Sequence, residues 1–301
     1  MMLRGSLLLL LLFSAHAYAQ QKPDSNDWLL GDPADAGFEV TELEKLAADI
    51  EAGETNTHAV LVEHDGALVF ERYFSGTDEK FSRPLGKRTM TRDSLHDLRS
   101  ATKSVTSAVL GICLAEDFNA AVQRPIKDCL PELKLRATHR KITLHHVLTM
   151  TTGLKWNEME LTYRNPKNDA IQLYSVPNPS KALFSKPVEY EPGSTWYYNG
   201  GCTYVLADVV LQRTGKTIDE YAKEKLFKPL GITKFEWHGS SAWTSTKASA
   251  AAGLRLTARD LAKIGSVYLH GGKWRGKQIV PKGLGRAFHN ASRQRMRQIQ
   301  R

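Results

Sequence analysis

In residues 42–51 apolar side chains recur as Leu43, Leu46, Ala47 and Ile50. That spacing predicts an amphipathic helix. The period then shortens. Residues 58–64 and 67–73 are two short runs rich in Val, Leu and Phe, separated by Asp65-Gly66. Asp-Gly between two strand-like runs predicts a tight hairpin, because both turn positions need positive φ. Residues 74–94 are polar and charged and read as a connecting loop. Residues 100–114 are small and apolar on all sides, which predicts a buried helix. Further helical patterns occupy 143–150, 201–213, 218–227 and 257–269. Thr257 followed by Asp260 resembles a capping box with Asp in place of Glu. Residues 157–192 are loop-rich, and no internal repeat is present. A single hairpin is not a stable sheet. Further strands are therefore expected, and the C-terminal region is their obvious source.

Composition changes this picture little. With 42% hydrophobic and 24% charged residues among 301, the chain is neither disordered nor fibrous. Charge changes it more. The 41 basic and 32 acidic residues give +9, which invites a reading as a binder of nucleic acid or anionic membrane. However, residues 271–301 hold nine of the bases and no acid, so the preceding 270 residues carry 32 of each sign. The excess belongs to the end of the chain. The start has a different signature: Arg4, an apolar run at 7–13, then Ala17-Tyr18-Ala19. The run is shorter than the ~20 residues of a membrane-spanning helix. It reads as a signal peptide over residues 1–19, cleaved near Gln20, with an uncleaved anchor as the alternative. Export permits disulfides. An odd count of three cysteines, Cys113, Cys129 and Cys202, leaves at least one unpaired, and a Cys113–Cys129 bridge is open.

Ser100-Ala-Thr-Lys103 is the only Ser-x-x-Lys in the chain. On a helix, positions i and i+3 share a face. A lysine kept neutral there can take the serine proton. A second proton-transfer group is needed, and two Tyr-x-Asn triplets offer one. Tyr197-Tyr-Asn199 follows Pro192-Gly193 and runs into an apolar helix, whereas Tyr163-Arg-Asn165 lies in the polar loop. Chemistry needs a fixed platform, so Tyr197 and Asn199 are the expected pair, with Tyr163 as a substrate-contacting lid residue. His96, His145 and His146 lack the Gly-x-Ser-x-Gly context of a Ser-His-Asp site. Gly215-Lys-Thr lacks the first glycine of a phosphate loop. No HExxH or CxxC occurs, so no metal or organic cofactor is expected.

Several segments together carry a resemblance: DLRSATKSVTSAVLGICL, ITLHHVLTMTTGL, EPGSTWYYNGGCTYVLADVV, GLRLTARDLAKIGSVYLHGGKWRGKQIVP and the hairpin VLVEHDGALVFERYF. The chain resembles the serine β-lactamase and penicillin-binding-protein superfamily. Within it, the likeness is to the class C-like branch of esterases, 6-aminohexanoate-dimer hydrolases and D-amino-acid peptidases. The resemblance covers roughly residues 30–281. It implies an α/β (α+β) fold with a helical subdomain and an antiparallel sheet subdomain. It implies Ser100 as acylated nucleophile, Lys103 as its base and Tyr197 as the second proton-transfer group. Asn199 would orient substrate and Lys103. The implied activity is that of an exported, periplasmic or secreted, serine hydrolase forming an acyl-enzyme with a small-molecule ester, amide or β-lactam.

The family's third motif, a Lys-Thr-Gly or His-x-Gly-like triplet on a strand beside the nucleophile, has no counterpart after Pro281. The sheet is therefore expected to be incomplete at the C-terminus. The expected division is 1–19 signal peptide, 20–281 hydrolase domain and 282–301 basic tail. Within the domain, 20–95 hold the helix and first hairpin, and 96–281 are mostly helical. The alternatives are a noncatalytic or truncated member of the fold, and, further off, a binder of anionic surfaces through its tail. No nucleic-acid partner and no membrane span after cleavage are expected.

Overall fold

The computed structural model describes residues 27–53, 55–243, 248–282 and 284. The expected signal peptide and nearly all of the basic tail lie outside the described residues, as does the expectation of an incomplete sheet after Pro281. The first elements are β1 (Leu29–Leu30), α1 (Val40–Ala52), β2 (Ala59–His64) and β3 (Ala67–Tyr73). Strands β2 and β3 pair antiparallel around Asp65 and Gly66, with φ of 47° and 85°. This is the positive-φ pair that Asp-Gly predicts. β1 adds to β3 in parallel, giving the order β1-β3-β2. Helix α1 lays Ala47, Leu43 and Ile50 against Phe70, Phe74, Val60 and Val62.

Residues 74–94 are not a loop. They form a second ribbon, β4 (Ser75–Lys80) paired antiparallel with β5 (Arg83–Thr89). Every β5 residue is exposed, so no apolar alternation marks it in the sequence. Backbone pairing holds the ribbon, helped by ion pairs from Arg88 to Asp78 at 3.3 Å and from Lys80 to Glu236 at 2.8 Å. A third sheet, ordered β6-β8-β7, joins β6 (Leu95–Asp97), β7 (Glu236–Trp237) and β8 (Leu254–Thr257). All four β8 residues are buried. Arg255 among them is neutralised by Asp97 at 2.6 Å and Glu236 at 3.0 Å. A buried cation without such partners is costly. The strands missing from the sequence reading thus come partly from mid-chain, not from the C-terminus alone.

The helical body holds the main core. It contains α2 (Thr102–Leu114), α3 (Leu144–Leu148), α4 (Gly201–Thr214), α5 (Ile218–Ala222), which runs on into a wider turn over Lys223–Phe227, and α6 (Ala258–Leu269). Val105, Val109 and Leu110 of α2 and Val205, Val209 and Val210 of α4 are at most 1% exposed. Helices this apolar on all sides belong to the interior. At the start of α6, Thr257 Oγ1 accepts the Asp260 N–H at 3.1 Å and donates to Asp260 Oδ2 at 2.9 Å. The cap is real, but the shorter Asp side chain reaches the threonine hydroxyl instead of its backbone N–H. A small hairpin of β9 (Lys273–Trp274) and β10 (Lys277–Gln278) follows. No described helix is long and apolar enough to cross a membrane. The three cysteines are unbridged.

Candidate active site

Ser100 lies in a single helical turn, Arg99–Ala101, between β6 and α2. Two contacts from β8 fix that turn: Leu98 N–H donates to Leu254 O at 3.0 Å, and Leu254 N–H donates to Thr102 Oγ1 at 3.3 Å. Arg99 just before the serine has φ of 48°, a conformation that costs a non-glycine residue about 1 kcal/mol or more. Its side chain offsets this by reaching Glu79 and the Ser82 hydroxyl on the β4–β5 ribbon. The result is an exposed serine on a rigid turn.

Lys103 Nζ donates to Ser100 Oγ at 3.1 Å and to Ala251 O at 2.8 Å. The pairing expected from i, i+3 spacing is present. The lysine is half-buried and needs no carboxylate to hold it, because the 250–254 segment runs alongside the start of α2. Thr106 Oγ1 bonds Ala250 O at 2.8 Å in the same way.

The tyrosine on the serine is Tyr198, not Tyr197. Tyr198 Oη donates to Ser100 Oγ at 2.7 Å, and Lys103 Nζ lies 5.1 Å from the centre of its ring. Tyr197 points the other way. Its N–H bonds Met150 O at 3.2 Å, and its hydroxyl is buried without a partner among the described residues. It lines a pocket of about 140 Å³ with Trp156, Glu160, Glu189 and Asn199. Successive side chains of an extended segment face opposite sides, so only one of two adjacent tyrosines can reach the serine. Residue type and spacing do not say which.

Asn199 is likewise not where it was expected. It is 3% exposed, and its Oδ1 accepts the Cys202 N–H at 3.2 Å. It therefore caps the first turn of α4, and no hydrogen bond joins it to Lys103 among the described residues. Tyr163 is exposed and donates to Glu158 Oε1 at 2.9 Å. Partial burial and the Glu158 charge push its hydroxyl above the usual phenol range, so it stays protonated. Burial also pushes the Cys202 thiol up to about 12, which removes it as a nucleophile.

The loop that carries Tyr198 is fixed from behind. Gly193 N–H bonds Thr151 O at 2.8 Å and Glu189 N–H bonds Gly153 O at 2.8 Å. Gly153 has φ of 72°, and a Cβ there would lie 2.0 Å from Tyr190 O. Only glycine permits that approach. A residue that sequence reasoning missed completes the frame. Glu158, 3% exposed, accepts from Trp156 Nε1 at 2.9 Å, from Tyr163 Oη at 2.9 Å and from Gly200 N–H at 2.7 Å. A lone glutamate in a polar loop carries no signal of burial. No group of metal-binding side chains occurs among the described residues.

A hydroxyl flanked by an amine and a phenol is a set of groups that can move protons around an attacking oxygen. The model of the beta-lactamase family matches residues 43–297. Lovastatin esterase of Penicillium rubens is 26% identical over 214 residues, which cover 64% of this chain and 51% of that protein. Esterase EstB of Burkholderia gladioli is 29% identical over 184 residues, covering 58% and 45%. A solved structure of a candidate 6-aminohexanoate-dimer hydrolase from Bacillus anthracis aligns with a TM-score of 0.63 at 26% identity, covering 81% of this chain and 61% of that one. The chain spans about half the length of the curated relatives it matches. With its helical body, antiparallel sheets and serine-bearing helix start, the chain belongs to the beta-lactamase family of serine hydrolases.

Proposed function

We propose that the chain is an exported serine hydrolase that cleaves small carboxylic esters through an acyl-enzyme. The observation that carries this reading is the meeting of Lys103 Nζ and Tyr198 Oη on Ser100 Oγ, at 3.1 and 2.7 Å. Ser100 Oγ attacks the ester carbonyl carbon while its proton passes to the Lys103 amine. Tyr198 gives its proton to the departing alkoxide and is recharged with the proton Lys103 took from Ser100; Lys103 Nζ lies 5.1 Å from the centre of the tyrosine ring. Water then enters, and the same groups run in reverse to release the acid. The Ser100 N–H, at the start of a helix, is one donor for the oxyanion. Such a donor is worth roughly 3 to 4 kcal/mol of barrier.

Esters are favoured over amides and β-lactams because two of the similar proteins are named as esterases. The charged, apolar and small-residue pattern of the N-terminus supports delivery to the periplasm or the outside. The test is covalent. The purified chain is treated with a fluorophosphonate probe, digested, and the adduct mapped. The expected result is one adduct on Ser100, absent in Ser100→Ala. A folded chain that takes no label there overturns the reading.

A further inference from the structure

Glu158 is a buried carboxylate with no cationic partner among the described residues. Among the described residues no lysine, arginine or histidine pairs with it; its three partners are the indole N–H of Trp156, the Tyr163 hydroxyl and the backbone N–H of Gly200. Holding a charge away from water is costly unless each lone pair is used. An arrangement that uses them on neutral donors indicates a demand for fixed geometry. The third donor shows what is being fixed. Gly200 follows Tyr198 by two residues and immediately precedes α4, a helix of 14 residues. Its N–H is among the amides that a helix start leaves unpaired, and the positive end of the helix favours an anion there. The carboxylate thus closes the turn 198–200 onto the front of α4. A Cβ on Gly200 would lie 3.2 Å from both Glu158 oxygens, so the fit is close.

Glu158 is itself immobilised. Asn157 N–H donates to Asp169 Oδ2 at 2.7 Å, Asp169 N–H donates to Asn157 O at 3.0 Å, and Asn168 Nδ2 donates to Glu158 O at 2.9 Å. The 157–169 loop is clasped at its neck and carries the carboxylate on a rigid base. A hydroxyl that must sit 2.7 Å from Ser100 Oγ tolerates little drift, since a displacement near 1 Å can cost about 100-fold in rate.

We infer that Glu158 is the positioning residue for Tyr198: by gripping the Gly200 N–H it sets the distance of the Tyr198 hydroxyl from Ser100 and so the rate of acylation. The inference rests on the serine-hydrolase reading above. It assigns Glu158 no contact with substrate.

The test uses the full chain and four variants, Glu158→Gln, Gly200→Ala, Tyr198→Phe and the double variant Glu158→Gln/Tyr198→Phe. Probe labelling of Ser100 and hydrolysis of p-nitrophenyl butyrate are followed. Glu158→Gln keeps the shape and loses an acceptor. It is expected to lower kcat and the labelling rate about 10- to 100-fold with KM within about two-fold. Gly200→Ala, which keeps the carboxylate and crowds it, serves where Glu158→Gln does not fold, and is expected to act in the same direction. The double variant is expected to be no slower than Tyr198→Phe alone, because Glu158 acts through that tyrosine. A loss in the double variant equal to the product of the single losses overturns the inference. So does wild-type labelling in folded Glu158→Gln, or in folded Gly200→Ala where that variant stands in. A wild-type chain that takes no label sinks the hydrolase reading and this inference together, whereas a labelled wild type with equally fast variants sinks this inference alone.

Discussion

The helical body and the α1–hairpin sheet are built on different principles. In the body, α2 and α4 bury nearly every face, and the core is continuous through α5, β8 and α6. Between α1 and the sheet, the buried cluster among the described residues is small: Ala47, Phe70 and Phe74. The sheet joins the body through Leu68 of β3, buried in the main core with Leu61 packed against it, and through polar contacts at its edge: Arg259 grips both Glu71 oxygens at 2.6 and 2.7 Å, and His270 meets Glu63 at 2.8 Å. Ser100, Lys103, Tyr198 and Glu158 all hang from the body or its loops. The proposed chemistry is placed where packing resists deformation, and the sheet is attached in part by ion pairs that salt screens. Damage to the body should therefore reach the site, and modest damage to the sheet should not.

The strongest test of that comparison lies within one loop of the body. Tyr198→Phe should lower kcat for an activated ester by about 100- to 1,000-fold, the range of a lost proton-transfer group, while Tyr197→Phe stays within about three-fold of wild type. The reverse ranking would break the assignment. Next comes packing. Leu110, fully buried in α2, should cost about 3 to 4 kcal/mol as Leu110→Ala. Leu43, part-buried on α1, should cost about 1 kcal/mol as Leu43→Ala and leave kcat unchanged. Urea unfolding with parallel assays measures both, and equal losses would erase the distinction between the two regions.

The smallest effect concerns pH. His146 Nδ1 accepts the Thr143 N–H at 3.2 Å in the capping box of α3, which requires the unprotonated ring. Burial first, and then His145, hold its pKa below the ordinary value, with Glu191 opposing. Neutral His146 is thus favoured by folding. Its contribution is complete above the unfolded pKa of about 6.5 and is lost as pH falls from there through the folded value. Melting temperature should drop between about pH 7 and 5. His146→Gln, whose oxygen can take the Thr143 N–H at any pH, should flatten the decline. His96, lowered by its own burial and by His58, adds a parallel slope, so the comparison is between variants. An unchanged slope in His146→Gln would remove the capping box from the pH response.

Legibility in the sequence followed the physics of each element. Asp65-Gly66 announced its hairpin because backbone sterics leave few residues suited to that turn. The 100–114 run announced α2 because its burial is written in small apolar residues. The β4–β5 ribbon stayed hidden because its residues face water on both sides of β5 and owe their pairing to backbone bonds. Leu254–Thr257 was hidden differently: four buried residues ahead of a helix have no period of their own. In the site, the contact of Ser100 with Lys103 was readable from their local spacing, even though the serine sits in the turn before α2. Which of the two adjacent tyrosines meets Ser100 was not readable, because facing is decided by the loop's course past Met150 and Thr151. Glu158 was unreadable because the Gly200 amide lies 42 positions away, and because Trp156 and Tyr163, though close in sequence, do not by themselves signal a buried carboxylate.

The bond from Lys103 to Ala251 spans 148 positions of chain, and that from Thr106 to Ala250 spans 144. Closing so long a loop is entropically unfavourable until much else has docked, and folds dominated by distant contacts form slowly. A refolding chain should thus regain helical signal well before it regains reactivity at Ser100. Recovery of the proposed esterase rate, followed against far-ultraviolet circular dichroism, would time the arrival of the 250–254 segment at α2 and use Ser100 as a clock for the last stage of assembly.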